Sequence, residues 1–121
     1  MAENKKLALI CDDSLLVRKK LKELLLECGC EKIIEADNGQ QAVELYQANN
    51  PDIVFMDIVM PVLDGIEALR QIRSIDPQAH VVMVSSVGTK TNLMDALKVG
   101  AKDFIQKPYD KEQIAKIIEN L

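Results

Sequence analysis

The segment that is most informative about the fold is residues 7–14, Leu7-Ala-Leu-Ile-Cys-Asp-Asp-Ser14. The apolar run Leu7–Cys11 predicts a strand covered on both faces, because such runs without alternation are typical of buried parallel strands. Ser14 is a suitable N-cap for the helical pattern that follows, and Gly29 is a suitable end for it. A strand that leads directly into a helix indicates an α/β protein.

Short apolar runs and longer helical patterns alternate five times along the chain. Strict alternation implies parallel strands that are joined by right-handed crossovers, with helices on both faces of the sheet. We therefore predict an α/β fold with a doubly wound, five-stranded parallel sheet. The order 2-1-3-4-5 is taken from flavodoxin-like proteins, since alternation alone does not determine it. The remaining predicted strands are Lys32–Ala36, Ile53–Asp57, Val81–Ser85 and Asp103–Ile105.

Residues that commonly begin or end helices bound the helical patterns. The fourth pattern carries Ala96 and Leu97 and ends at Gly100. The other predicted boundaries are Asn38-Gly39 and Asn49-Asn50-Pro51 for the second helix, Asp64-Gly65 before the third and Asp110 before the fifth.

Length and composition limit the classes of function. The 121 residues suit one domain, residues 1–121, and the net charge of −4 argues against nucleic-acid binding. The basic stretch Arg18-Lys19-Lys20 is interpreted as the solvated face of a helix. We find no signal peptide and no membrane-spanning run, and three cysteines argue against a disulfide framework. A cytoplasmic protein with plain thiols is expected.

Polar residues stand at the ends of the predicted strands, where open parallel sheets bind ligands. Asp12-Asp13 follow the first strand, Asp57 ends the third, Ser85 ends the fourth and Lys107 follows the fifth. In the order 2-1-3-4-5 the first and third strands are neighbours, so the three aspartates should converge. Each residue also has an ordinary structural explanation, such as a charge at a helix N-terminus, but their placement at one edge favours a common site.

The converging carboxylates require either a proton or a cation. A close pair repels by about 1 kcal/mol in water and about 4 kcal/mol at an effective dielectric constant of 20. A ligand set of oxygen atoms alone suits Mg²⁺ rather than zinc or copper. Asp57, alone on the central strand, is the candidate nucleophile for an acyl phosphate, and Lys107 and Ser85 are candidates to hold its phosphoryl oxygens.

These motifs resemble the response-regulator receiver family, and the resemblance covers essentially the whole chain. Its size is similar to that of the single-domain chemotaxis members. The motifs are residues 7–14, Pro51-Asp-Ile-Val-Phe-Met-Asp57, Met60-Pro61, Asp64-Gly65, Gly100-Ala101 and Lys107-Pro108.

The resemblance implies a specific ligand set for the metal and a phosphodonor. Mg²⁺ would be bound by Asp13, Asp57, the backbone carbonyl of Val59 and, largely through water, Asp12. Asp57 would receive its phosphoryl group from a phosphohistidine on a partner histidine kinase. The resemblance also implies a cis peptide bond between Lys107 and Pro108.

The resemblance further implies a switch and an output surface. Phosphorylation would draw the Ser85 hydroxyl inward, Phe104 would turn from an exposed to a buried rotamer, and helix 4, strand 5 and helix 5 would change shape. Phe104 replaces a tyrosine found in chemotaxis members, so the switch would work by packing. Val59 and Val87 stand where members can carry groups that orient water, which predicts a long-lived phosphoryl group.

Several classes of function can be compared with the sequence motifs. The resemblance favours a monomeric signalling switch, not an enzyme, which binds an output protein such as the flagellar motor switch and possibly a phosphatase. A phosphorelay intermediate and a receiver excised from a transcriptional regulator stay open as alternatives. A haloacid-dehalogenase phosphatase needs two acidic residues with one residue between them, which Asp12-Asp13 lack. A flavin or nucleotide site needs a glycine-rich phosphate loop after the first strand, which is absent.

Overall fold

The computed structural model describes residues 6–85, 90–107 and 109–121, and it describes the side chains of α4 only from residue 94 onward. Val87 and the Lys107–Pro108 bond therefore lie outside the described residues. The strands are β1 Leu7–Cys11, β2 Lys32–Ala36, β3 Ile53–Asp57, β4 Val81–Ser85 and β5 Asp103–Gln106. The helices are α1 Leu15–Glu27, α2 Gly39–Asn49, α3 Gly65–Ile75, α4 Lys90–Val99 and α5 Lys111–Glu119.

The described strands form one parallel sheet in the order β2-β1-β3-β4-β5, which confirms the predicted fold class. Side-chain caps explain where the helices begin. Ser14 Oγ accepts from Val17 N at 3.3 Å, and Asp110 forms a reciprocal capping box with Gln113. Gly29, with φ of +90°, ends α1 as predicted.

The sheet separates two hydrophobic layers, as a doubly wound fold requires. Helices α1 and α5 bury Leu21, Leu25, Ile114 and Ile117 against one face of the sheet. On the other face pack α2, α3 and α4, whose buried residues are Ala42, Val43, Tyr46, Ala68, Leu69, Ile72 and Ala96. Leu97, which the helical pattern also included, is 52% exposed.

All three cysteines are free thiols, as predicted, and Cys11 and Cys30 are buried. None of the described helices has the length and apolar character needed to cross a bilayer.

Candidate functional site

Three carboxylates lie together at the carboxyl edge of the sheet. Parallel pairing places Cys11 beside Met56, so that Asp12 and Asp57 are neighbours at the ends of β1 and β3. One carboxylate oxygen from each of Asp12, Asp13 and Asp57 lies within 4.8 Å of the other two. Asp12 and Asp57 are buried, whereas Asp13 is exposed. The structure thus brings together the three aspartates that the sequence predicted to converge.

Lys107 lies among these carboxylates. Its Nζ is 3.0 Å from Asp12 Oδ2 and 3.7 Å from Asp57 Oδ2. Its backbone N–H donates to the carbonyl oxygen of Ser85 at 2.7 Å, which ties the ends of β4 and β5 together. Among the described residues, Lys107 therefore pairs with two of the three carboxyl groups, and the ionised cluster carries an excess of negative charge.

The surroundings of Asp57 raise the pKa of its carboxyl group. Burial is the main cause that raises its pKa to about 6, and the charge of Asp12 and a smaller effect of Asp13 act in the same direction. The ammonium group of Lys107 and the backbone N–H of Ile58 lower the pKa and oppose this effect. Asp57 is consequently ionised for the most part at neutral pH. Its negative charge is unfavourable in free energy in this position, and a proton or a metal ion would remove that penalty.

Asp12 is held by polar contacts on its backbone and on its carboxylate. Its Oδ1 accepts from Ser14 N at 2.9 Å, and its N–H donates to Ala36 O at 3.1 Å. Its carbonyl oxygen accepts from Arg18 Nη1 at 2.6 Å. With the contact to Lys107, these bonds fix both the backbone and the side chain of Asp12.

The interpretation of the whole basic stretch as a solvated face was wrong for Arg18. Lys19 and Lys20 are exposed, but the Arg18 side chain is only 14% exposed, and its Nε lies 3.0 Å from Glu35 Oε1. The sequence does contain a signal for this orientation. Arg18 precedes the buried Leu21 by three residues, so both lie on the same face of α1.

The loop between β3 and α3 packs tightly against the end of β3. Gly65 N–H donates to Ile58 O at 2.7 Å, and a Cβ atom at position 65 would lie 1.9 Å from the carbonyl oxygen of Asp57. Leu63 N–H donates to Pro61 O at 2.7 Å across Val62, whose φ is +70°. This loop also carries Val59, so the backbone near Asp57 has a defined course.

Ser85 and Phe104 lie on the same side of the sheet. Met83 pairs with Phe104, and Ser85 follows Met83 by two residues, so their side chains share one face. Phe104 is half-buried against the core layer beside α2, α3 and α4. Ser85 is 1% exposed, and its Oγ has no hydrogen-bond partner within the described residues. A buried hydroxyl without a partner is unfavourable, so this O–H group suits an incoming acceptor.

The ligand atoms of the acidic cluster fit a hard divalent cation. The three candidate side chains offer only oxygen atoms, and among the described residues only Lys107 forms ion pairs with them, which leaves an excess of negative charge on the carboxylates. Mg²⁺ typically takes one or two carboxylates and completes its shell with water or phosphate oxygens. The cluster could therefore bind a metal ion of this kind.

Comparisons with known proteins agree with this geometry. The family model described as "Response regulator receiver domain" matches residues 8–119. The chemotaxis protein CheY of Bacillus subtilis is 46% identical over 110 residues, which cover 91% of this chain and 92% of that protein. The CheY of Thermotoga maritima is 40% identical, with 96% of this chain and 97% of that protein covered.

Among solved structures, the CheX–CheY–BeF3–Mg²⁺ complex from Borrelia burgdorferi contains a chain similar to this one. The TM-score is 0.87 and the identity 37%, and the match covers 93% of this chain and 86% of that chain. Sequence, fold and site geometry lead to one conclusion, namely that the chain belongs to the response regulator receiver domain family.

Proposed function

We propose that this chain is a phosphorylation-dependent signalling switch that accepts a phosphoryl group on Asp57. The observation that carries this proposal is the cluster of three aspartates within 4.8 Å, with the ammonium group of Lys107 between Asp12 and Asp57. Membership of the receiver family supports it. The chemistry acts on the protein itself, by phosphoryl acceptance and autodephosphorylation, and the chain is not an enzyme with a separate substrate.

Asp57 is the nucleophile in this proposal. An oxygen of its carboxylate attacks the phosphorus of a phosphohistidine, the P–N bond breaks, and its electron pair returns to the imidazole nitrogen. With a pKa of about 6, Asp57 has the ionised form that this attack needs at neutral pH. Lys107 and the Ser85 hydroxyl, which has no hydrogen-bond partner among the described residues, would then stabilise the phosphoryl oxygens by charge and by a hydrogen bond.

Asp13, Asp57 and the backbone carbonyl of Val59 would hold Mg²⁺, with Asp12 acting largely through water. The bound ion would supply compensation for the negative charge of the carboxylates and the phosphoryl group. Asp12 keeps its own bonds to Ser14 and Lys107, which orient it for this role. The relative from Borrelia burgdorferi, solved with BeF3 and Mg²⁺, supports Mg²⁺ as the ion.

The output of the switch would be a change in the surface of α4, β5 and α5. Ser85 and Phe104 share a face of the sheet, and Phe104 is half-buried, so a shift of the Ser85 hydroxyl towards the phosphoryl group can alter the packing of Phe104. Phosphorylation adds about −1.5 to −2 charges and thus supplies the energy for this change.

The proposed partners are a histidine kinase as phosphodonor and an output protein, namely the flagellar motor switch of a chemotaxis system. The segments that follow Asp13 and Asp57 carry exposed apolar side chains, as expected where a protein partner approaches: Leu15, Leu16, Val59 and Val62 are each at least 67% exposed. The CheY relatives support chemotaxis, and the complex of a similar CheY with CheX supports a further protein partner, which we propose to be a phosphatase. We propose a cytoplasmic monomer in which residues 1–121 form a single receiver domain.

Incubation with radiolabelled acetyl phosphate tests the proposal. Wild-type protein should retain label in the presence of Mg²⁺ and lose that capacity with a chelator, whereas Asp57→Asn should retain none. Asp95→Asn, at an exposed position of α4, is the matched control and should be labelled like wild type. Equal labelling of Asp57→Asn and wild type would refute the assignment of Asp57.

A further inference from the structure

We propose that Arg18 is a positioning residue for the proposed metal ligand Asp13, on which it acts through the backbone carbonyl of Asp12. This inference rests on the proposed function, because it assumes that Asp13 binds Mg²⁺. It concerns a residue of α1 that lies outside the set of acidic, lysine and serine side chains at the edge of the sheet.

The geometry connects Arg18 to Asp13 by one peptide group. Arg18 Nη1 donates to Asp12 O at 2.6 Å, and that oxygen belongs to the peptide bond between Asp12 and Asp13. Because the peptide group is planar, the direction of this carbonyl fixes the plane that carries the Asp13 nitrogen and Cα. A bond from a charged donor to a carbonyl is also stronger than one between neutral groups.

Asp13 needs such a constraint from its backbone. Its side chain is exposed, and in the described part of the chain its carboxylate makes no hydrogen bond or ion pair. Asp12, by contrast, is fixed at its carboxylate by Ser14 N–H and by Lys107. The peptide group that Arg18 holds therefore fixes the position of the Asp13 Cα, from which the carboxylate reaches towards Asp57.

Arg18 is itself held in place from the other side. Its Nε donates to Glu35 Oε1 at 3.0 Å, and the second oxygen of Glu35 lies 3.8 Å from Lys22 Nζ. The planar guanidinium group can make the bonds to Glu35 and to Asp12 O at the same time, which a single lysine ammonium on a flexible chain cannot reproduce with the same geometry. The connection thus runs from Glu35 through Arg18 to Asp12 and Asp13.

A purely electrostatic role of Arg18 and a positioning role predict opposite changes in Mg²⁺ affinity when Arg18 is substituted, which permits a clear test. If Arg18 acted only as a charge, its removal would take a positive charge away from a cation site and would tighten Mg²⁺ binding. If Arg18 only stabilised the fold, its substitution would lower the free energy of unfolding but leave the Mg²⁺ affinity of the folded protein unchanged. Positioning alone predicts weaker binding.

The experiment is a calorimetric titration of MgCl₂ into the full-length chain. Arg18→Lys, which keeps the charge, and Arg18→Met should each weaken Mg²⁺ binding by about tenfold, as expected for residues that orient metal ligands. Lys19→Met removes a positive charge from an exposed position of the same helix and is the matched control, which should bind no more weakly than wild type.

The outcomes separate this proposal from the one on which it rests. Unchanged or tighter binding by Arg18→Lys and Arg18→Met, beside a wild type that binds Mg²⁺, would overturn the positioning role alone. A wild type that does not bind Mg²⁺ would overturn the metal site and the positioning role together. Circular dichroism identifies any variant that fails to fold, and Arg18→Lys, the more conservative change, then decides the question.

Discussion

Asp57 is buried beside Asp12, and this position has a measurable consequence for stability. Burial and the neighbouring carboxylate raise its pKa from 3.8 to about 6. A carboxyl group with a raised pKa in the folded state favours folding below its unfolded pKa, and this contribution is lost as the pH rises through the folded pKa. Ionised Asp57 therefore opposes folding at neutral pH, by at most about 3 kcal/mol.

Asp57→Asn should accordingly increase the free energy of unfolding of the metal-free protein by about 1–3 kcal/mol at pH 7. The gain should shrink as the pH is lowered from 7 towards 3.8, because the wild-type carboxyl group becomes protonated. Urea unfolding at a series of pH values measures this trend. Asp95→Asn, an exposed change, should not show it. A gain for Asp57→Asn that does not vary with pH would contradict the electrostatic explanation.

Val59 provides a second prediction at the residue scale. Its side chain is 69% exposed, two residues after Asp57. An amide at this position could hydrogen-bond to a water molecule that attacks the phosphoryl group, and one net hydrogen bond of about 1 kcal/mol corresponds to about a fivefold change in rate. Val59→Asn should therefore speed the release of phosphate from phosphorylated protein by about fivefold.

Val62→Asn, at an exposed position of the same loop, is the control for this change. Phosphate release followed after removal of the phosphodonor compares the two variants with wild type. Equal acceleration by both variants, or none by Val59→Asn, would show that Val59 does not limit the access of water.

At the scale of elements, the connection between β3 and α3 depends on the absence of a side chain at Gly65. A Cβ atom at this position would lie 1.9 Å from the carbonyl oxygen of Asp57, which is well inside van der Waals contact. Gly29, at the end of α1, has no atom within 4 Å of its hypothetical Cβ, although its φ is +90°. A side chain at position 65 would therefore create a steric conflict, whereas a side chain at position 29 would create backbone strain without a clash.

Gly65→Ala should reduce the free energy of unfolding by about 1–3 kcal/mol through overpacking and should displace the backbone beside Asp57. It should therefore also slow phosphorylation by acetyl phosphate under conditions in which the variant is folded. Gly29→Ala should destabilise the protein by about 1–2 kcal/mol through backbone strain and leave phosphorylation unchanged. Denaturant unfolding and phosphorylation rates measure both effects, and normal phosphorylation of Gly65→Ala would contradict the role of this close contact.

The sequence predicted the helices and strands better than it predicted the contacts between them. Apolar runs identified the strands, although β5 continues to Gln106, one residue beyond the predicted end, and cap residues such as Ser14 and Asp110 identified the helix starts. The order of the strands had to be adopted from similar folds, since it depends on long-range packing. Arg18 was misassigned because a local charge pattern does not show which cation turns inward.

The whole molecule is what brings the site together. Lys107 and Asp12 are 95 residues apart in sequence, yet Lys107 Nζ lies 3.0 Å from Asp12 Oδ2. Every strand of a parallel sheet ends at the same edge, so Asp57 and Ser85 at the ends of β3 and β4 lie at the edge where Asp12 and Lys107 follow β1 and β5. This is why strand ends predicted the convergence of the aspartates and Lys107, although the sequence could not give their distances.

The proposed switch requires the acidic cluster to be a phosphorylation site with Asp57 as the acceptor. Reduction with borohydride converts an aspartyl phosphate to homoserine, so peptide sequencing after treatment with acetyl phosphate and Mg²⁺ identifies the modified residue. We predict homoserine at position 57, and none when Mg²⁺ is withheld. Homoserine at position 12 or 13 instead, or an unmodified chain after treatment with both reagents, would contradict the assignment of Asp57 as the phosphoacceptor.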